Sequence, residues 1–150
     1  MTLDDLLARE GIRDTVARYN SYSDSGRFEP LWELFAEHAV MELDGADGGS
    51  TVYTGREEIK RIFTGAQERV KERLDTAGPT YVRHFTATHQ IDLVDTDHAT
   101  GRCYFAVIID NGLDHWGVYV DRYVRVDDRW RFEHRRVQID GLVETSWFAG

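Results

Sequence analysis

The sequence predicts a single α+β domain in which helices come first and an antiparallel sheet follows. Up to about residue 75, apolar residues recur at helical spacing. From residue 80 onward they alternate with polar residues through four long segments, as in half-buried strands. A chain of 150 residues with 41% apolar content has the size of one domain with one core. We therefore expect helices packed on one face of a curved meander.

A long N-terminal helix is predicted to end near Asp24. The apolar stripe that marks it runs through Ile12, Val16 and Tyr19. Ser25-Gly26 follows directly, and a glycine at this point favours the end of a helix.

A shorter second helix is expected next, with Pro30 in its first turn. It would bury three apolar side chains, those of Leu31, Leu34 and Phe35. A strand is expected over residues 39–43. The following stretch, 44–50, is rich in Gly and Asp and is typical of a surface loop.

The third helix is predicted by the capping-box spacing of Thr54 and Glu57. Behind this start, apolar residues share one helical face: Ile59, Ile62, Phe63, Ala66, Val70 and Leu74. Gly78-Pro79 marks the predicted end. Four strands should then cover residues 80–94, 99–110, 115–126 and 129–139, with turns at 95–97, 111–112 and 127–128.

Charge and cysteine content restrict the possible partners and location. The net charge of −9 opposes both nucleic acid and anionic membranes. Cys103 is the one cysteine, which cannot form an intramolecular disulfide, and the N-terminal residues lack the pattern of a signal peptide. We expect a cytoplasmic protein.

Three residues, Tyr19, Asp24 and His84, are the candidates for catalysis. Phosphate loops, paired CxxC motifs and nucleophile elbows are absent from the sequence, so any chemistry must use side chains without a cofactor. If Asp24 reaches His84, its carboxylate would orient the imidazole and leave the second ring nitrogen free to move a proton. A structural alternative is that Tyr19 is a core residue, Asp24 a turn residue and His84 a satisfied strand histidine.

Other polar residues favour structural roles. His84 and His89 are five positions apart and face opposite sides of a regular strand, so joint metal binding is not expected without a bulge. Cys103 alternates with core residues and is interpreted as packing. The set Gly117, Tyr119, Asp121 and Tyr123 could line a cavity or form a solvated face. The alternation of Arg131, Glu133 and Arg135 with Trp130, Phe132 and His134 is typical of a salt-linked surface.

Several segments in order resemble the SnoaL-like branch of the NTF2-like superfamily. They are 12–24, 31–36, 53–59, 83–85, 99–102, 119–123 and 129–132. This resemblance implies a cone in which a curved mixed or antiparallel sheet wraps around the N-terminal helix and two further helices, with an internal pocket.

Within that superfamily, the chain is similar to scytalone dehydratase and the bile-acid dehydratases. The resemblance implies that Asp24 and His84 form the catalytic pair and that Tyr19 assists them. It further implies a cofactor-independent lyase or isomerase for a small hydrophobic cyclic substrate, such as a polyketide, steroid or aromatic intermediate. The alternative is a binding or assembly subunit without turnover.

The expected pocket is lined by six aromatic residues: Trp32, Tyr53, Phe63, Tyr104, Trp116 and Tyr119. No metal and no organic cofactor are expected, because one His and one Asp are fewer ligands than a catalytic zinc site needs. An apolar outer sheet face with Val118, Val120 and Val124 predicts a homodimer or small homo-oligomer.

Overall fold

A computed structural model describes residues 1–74 and 79–149 of the chain, without the side chains of residues 66, 67 and 69–74. The elements are α1 Leu3–Asp24, α2 Phe28–Trp32, β1 Phe35–Asp44, β2 Ser50–Thr54, α3 Arg56–Leu74, β3 Arg83–Leu93, β4 His98–Ile109, β5 Gly112–Val126 and β6 Arg129–Leu142. The predicted α+β class is confirmed. Within the described residues, no helix is long and apolar enough to span a bilayer.

Six strands form one mixed sheet in the order β2-β1-β6-β5-β4-β3. All neighbours are antiparallel except β1 and β6, which run parallel. The helix α1 packs against β3 and β6, and we call the face of the sheet that it covers the inner face. The core therefore lies between this face and the helices.

The N-terminal region follows the prediction for α1 but differs after it. Thr2 caps α1 through a capping box with Asp5, and the helix ends at Asp24 as predicted. The second helix is shorter than expected, because Phe35 already pairs with Phe132 as the first residue of β1. The strand β2 was not predicted, since the Gly- and Asp-rich sequence before it obscures the hairpin.

Helix α3 begins at Arg56, as the capping pattern indicated. The glutamate that caps it is Glu58 and not the expected Glu57. Glu58 accepts a hydrogen bond from the backbone N–H of Thr54, while Glu57 pairs with Lys60. Ile59 and Phe63 are buried as predicted. The predictions for the side chains of Ala66, Val70 and Leu74, and for Gly78, lie outside the described residues.

β-Bulges reverse the alternation of side chains along the strands. In β3 a bulge at Thr88 and His89 opposes Cys103, and Thr88 has a φ of 54°. In β6 the bulge that precedes Arg135 is at Glu133. The expectation that His84 and His89 face opposite sides of the sheet, which assumed a regular strand, is therefore wrong. The prediction that Arg135 lies on the surface is also wrong.

Candidate acid–base site on the inner face of the sheet

Asp24 and His84 are in direct contact. Asp24 Oδ1 lies 2.6 Å from His84 Nδ1, and Asp24 Oδ2 accepts a hydrogen bond of 2.8 Å from the backbone N–H of His84. The Asp24 side chain is 8% exposed and that of His84 is 21% exposed. With the carboxylate as acceptor, Nδ1 carries the proton and Nε2 is the nitrogen able to accept one.

Two element ends bring this pair together. Asp24 is the last residue of α1, and His84 is the second residue of β3, where it pairs with Val107 of β4. A regular strand places His84 and Thr86 on the inner face, as predicted, because Phe85 is 60% exposed on the other side. The two hydrogen bonds to one carboxylate fix the orientation of the imidazole.

Tyr19 lies deeper on the same helix. Its ring makes edge contacts with Phe35, Phe63, Tyr119 and Phe132 at centroid distances from 5.6 to 6.0 Å. Burial raises the pKa of the Tyr19 phenol, Arg135 opposes this effect, and Asp121 and Asp24 add to it. The phenol therefore stays protonated at neutral pH and can donate a hydrogen bond.

A buried ion pair between Arg135 and Asp121 packs against the ring of Tyr19. Arg135 donates two hydrogen bonds of 2.8 Å to Asp121, and both side chains are 0% exposed. The guanidinium carbon lies 4.3 Å from the ring centre of Tyr19 and 4.0 Å from that of Tyr119. Sequence reasoning missed Arg135 because the bulge at Glu133, which turns it inward, leaves no mark in the alternating pattern.

The alternating residues of β5 that could line a cavity, namely Gly117, Tyr119, Asp121 and Tyr123, face inward. Tyr119 donates a hydrogen bond to Asn20 of α1, and Tyr123 donates one to Asp121 and lies 3.3 Å from His89 Nε2. Of the two alternatives that the sequence left open, the solvated face is therefore excluded.

The six predicted pocket aromatics divide between the two faces of the sheet. Trp32, Phe63 and Tyr119 are buried in the core, and Tyr53 packs against it. Tyr104 and Trp116 lie on the outer face, 50% and 36% exposed. Their placement in the inner pocket was wrong, because they alternate with the inward-facing Phe105 and His115.

Two described cavities lie away from Asp24 and His84. One of about 640 Å³ lies beside α1 and includes Leu7 and Trp130 in its wall. The other, of about 470 Å³, opens on the outer face beside Tyr104 and Trp116. The acid–base pair is instead reached directly from solvent, because part of the His84 side chain is exposed.

In the described ranges, no group of three or more His, Cys, Asp or Glu side chains is arranged so that it could hold a metal ion. Cys103 is fully buried, and burial raises the pKa of its thiol to about 11, so it packs as predicted.

A second Asp-His pair on the inner face was not singled out from the sequence. Asp114 and His115 are adjacent residues, and Asp114 Oδ2 lies 2.7 Å from His115 Nδ1. Neighbours in a regular strand point to opposite faces, so the sequence gives no reason to pair them.

Comparison with known proteins places the chain by family and by fold. The sequence profile of the SnoaL-like domain matches residues 4–136. A Mycobacterium tuberculosis protein of unknown function is 27% identical, with a TM-score of 0.74, over 93% of this chain and 75% of that one. No curated protein sequence matches the chain.

Two further solved structures share the fold. A Novosphingobium aromaticivorans protein, provisionally described as a scytalone dehydratase, is 23% identical over 96% of this chain and 91% of its own, with a TM-score of 0.74. A hexachlorocyclohexane dehydrochlorinase from Novosphingobium barchaimii is 18% identical over 94% of this chain and 92% of its own, also with a TM-score of 0.74.

Proposed function

The chain belongs to the SnoaL-like domain family, and we propose that it is a cofactor-independent lyase or isomerase of the dehydratase type. The observation that carries this proposal is the 2.6 Å contact between Asp24 and His84 at a partly accessible position. The proposed substrate is a small hydrophobic cyclic molecule such as a polyketide, steroid or aromatic intermediate. Trp32, Phe63 and Tyr119 are the described aromatics that support an apolar site.

In the proposed reaction, His84 is the general base. Its Nε2 takes a proton from the carbon next to a substrate carbonyl, and the C–H electron pair moves toward the carbonyl oxygen. Asp24 holds Nδ1–H and stabilises the imidazolium that forms. The imidazolium then returns the proton, either to a β-hydroxyl group that leaves as water or to another carbon of the substrate.

Tyr19 is proposed to stabilise the enolate oxygen. Its protonated phenol can donate a hydrogen bond to the developing negative charge, and the buried Arg135 beneath its ring strengthens that donor. The chemistry requires neither a metal nor an organic cofactor, because each proton transfer uses a side chain of the chain itself.

The fold neighbours agree with an elimination. One is provisionally described as a dehydratase and another is named a dehydrochlorinase. We propose a cytoplasmic location, consistent with the lone buried Cys103. We also propose a homodimer or small homo-oligomer.

Solvent exchange tests the proposal with a panel of candidate compounds. Cyclic ketones and cyclic β-hydroxyketones are incubated with the protein in D₂O, and deuterium uptake next to the carbonyl is followed by mass spectrometry. The wild type should accelerate uptake for at least one compound. His84→Ala should lose this acceleration roughly 10²-fold or more.

His98→Ala is the matched control. His98 also contacts an aspartate, Asp95, at 3.0 Å, but its side chain is 49% exposed on the surface. It should keep the full exchange rate. Saturable binding of a compound with His84→Ala and Asp24→Asn unchanged in both affinity and exchange would instead identify a non-catalytic binding subunit.

A further inference from the structure

The pair Asp114–His115 is built into the inner face although its residues are neighbours in one strand. Asp114 is 1% exposed and His115 is 6% exposed. Adjacent strand residues normally face opposite sides, so one of two charged or titratable neighbours should lie in solvent. A local break in the ladder between β4 and β5 explains why both are buried.

That break is the bulge at Asp114. His115 pairs with Val107 and Leu113 pairs with Ile108, so Asp114 is an extra residue with no partner in β4. The bulge turns the Asp114 carboxylate toward Nδ1 of the neighbouring imidazole. The two groups could not form this contact in a regular strand.

Asp114 is itself held by the C-terminal segment. Its carboxylate accepts hydrogen bonds from Ser146 Oγ at 2.7 Å and from the backbone N–H of Trp147 at 2.8 Å. Burial opposes ionisation, but the hydrogen bonds from His115, Ser146 and Trp147 outweigh it and lower the pKa of Asp114. Asp114 is therefore an ionised acceptor in neutral solution.

The protonation of His115 follows from this partner. An ionised carboxylate only accepts hydrogen bonds, so Nδ1 carries the proton. Burial lowers the pKa of His115, the Asp114 carboxylate opposes the shift, and His84 contributes to it. The ring is neutral at neutral pH, and its Nε2 presents a lone pair.

His115 lies on the same row of the sheet as His84. Val107 pairs with His84 on one side and with His115 on the other. The two histidines are thus two strand spacings apart, about 10 Å between Cα atoms. The Phe105 ring neighbours both imidazoles, with centroid distances of 6.4 Å to His84 and 6.2 Å to His115.

We propose that His115 is a specificity-determining residue of the acid–base site and that its Nε2 accepts a hydrogen bond from a hydroxyl group of the substrate. Asp114 is the positioning residue that keeps this nitrogen an acceptor. This inference rests on the proposed function, and it narrows the substrate to cyclic molecules that carry a hydroxyl group away from the carbon where His84 acts. A carbonyl, ether or halogen at that place offers no proton to Nε2.

The tautomer can be measured without any ligand. Long-range ¹H–¹⁵N NMR correlations of the histidine rings at neutral pH should show His115 as the neutral Nδ1–H form. Asp114→Asn should shift the proton toward Nε2, because the amide NH₂ can donate to Nδ1. A charged ring, or an Nε2–H tautomer in the wild type, would overturn the proposal.

A pair of probes tests the acceptor directly. Calorimetric titration at neutral pH compares 2-naphthol with 2-methoxynaphthalene, which lacks the donated proton. The wild type should bind 2-naphthol about threefold to tenfold more tightly, the range of one net hydrogen bond. His115→Phe keeps a planar ring and should reduce this ratio to about one, and Asp114→Asn should reduce it as well.

His98→Phe is the matched control and should keep the wild-type ratio, because His98 lies on the surface. Thermal denaturation of each variant shows whether it is folded. If the wild type shows no preference, or binds neither probe, the acceptor role is wrong.

The outcomes of the two proposals are separable. A lost preference in His115→Phe together with unchanged deuterium exchange in His84→Ala would refute the proposed function alone. Unchanged preference with lost exchange would refute only the role of His115.

Discussion

At the scale of single residues, the contact between Asp24 and His84 predicts that the proposed activity depends on pH. His84 must be unprotonated at Nε2 to accept a proton, and the Asp24 carboxylate holds the opposite nitrogen at 2.6 Å. Once a substrate is found, kcat/KM should therefore fall at acid pH, because a protonated Nε2 cannot take the substrate proton. A pH–rate profile measures this fall.

Substitutions at the two residues distinguish the proposed general base, His84, from the group that orients it, Asp24. His84→Ala should remove the acid fall together with most of the rate, and Asp24→Asn should lower kcat by roughly 10²-fold or more. A profile for His84→Ala that keeps the acid fall, with turnover within a few-fold of wild type, would assign the proton transfer to another group.

Removal of the Tyr19 hydroxyl should affect kcat more than KM. Tyr19→Phe keeps the ring contacts with Phe63 and Tyr119 but removes the donor for the enolate oxygen. We expect kcat to fall by about 10²-fold, as for loss of one oxyanion donor. Tyr22→Phe is the control, because Tyr22 is on the same helix but its hydroxyl pairs with Arg18. Equal kcat in both variants would exclude the proposed role.

At the scale of elements, the bulge in β6 places a cation in the core that needs its partner. Within the described residues, Asp121 is the carboxylate that pairs with Arg135, through two hydrogen bonds of 2.8 Å. Asp121→Asn should lower the free energy of unfolding by about 3 kcal/mol, since it leaves a buried charge unpaired.

Urea denaturation measures this loss in the free energy of unfolding, and a variant of a surface ion pair serves as the comparison. Asp128 contacts Arg125 at 2.9 Å with its own side chain 91% exposed. Asp128→Asn should change stability by less than about 0.5 kcal/mol. Similar stabilities of the two variants would show that the buried pair contributes no more than the surface one.

The bulges in β3 and β5 bury histidines and so make stability depend on pH. Burial lowers the pKa of both His89 and His115 below the ordinary value of 6.5. As pH falls, the unfolded chain therefore binds protons first, and stability present above about pH 6.5 is lost below it. His98 acts in the opposite direction, because Asp95 raises its pKa, but it is exposed and its effect should be small.

Urea denaturation from about pH 7.5 to about pH 5.5 should show this loss. His115→Phe should flatten the dependence, while His98→Gln should leave it nearly unchanged. An equally steep loss of stability in His115→Phe would assign the acid sensitivity to other groups.

At the scale of the whole molecule, we expect self-association to use the outer face of the sheet. Phe85, Tyr104 and Trp116 are exposed there. Val118, which the sequence suggested as an exposed contact, is covered by its neighbours at 3% exposure, and Val120 and Val124 are half-buried. The aromatic residues therefore replace the valines as the expected interface.

Light scattering coupled to size exclusion should give a multiple of the chain mass of 17.3 kDa. Tyr104→Glu should shift the protein toward monomer, because it places a charge in the apolar face. Leu3→Glu, on the exposed start of α1, is the control. A monomer mass for the wild type in dilute solution would contradict the assembly.

The sequence by itself determined the α+β class, the long first helix and the four-strand meander. These depend on local periodicity and on the ends of regular elements, which a single sequence carries. The pairing of Asp24 with His84 was implied by the resemblance to the SnoaL-like family, and the contact itself is a feature of the tertiary structure. Only the tertiary structure decided the faces of Arg135, His89 and Asp114, because each depends on a bulge that inserts one residue into the ladder. A bulge is defined by the partner strand, so one extra residue reverses every side chain beyond it without changing the pattern before it.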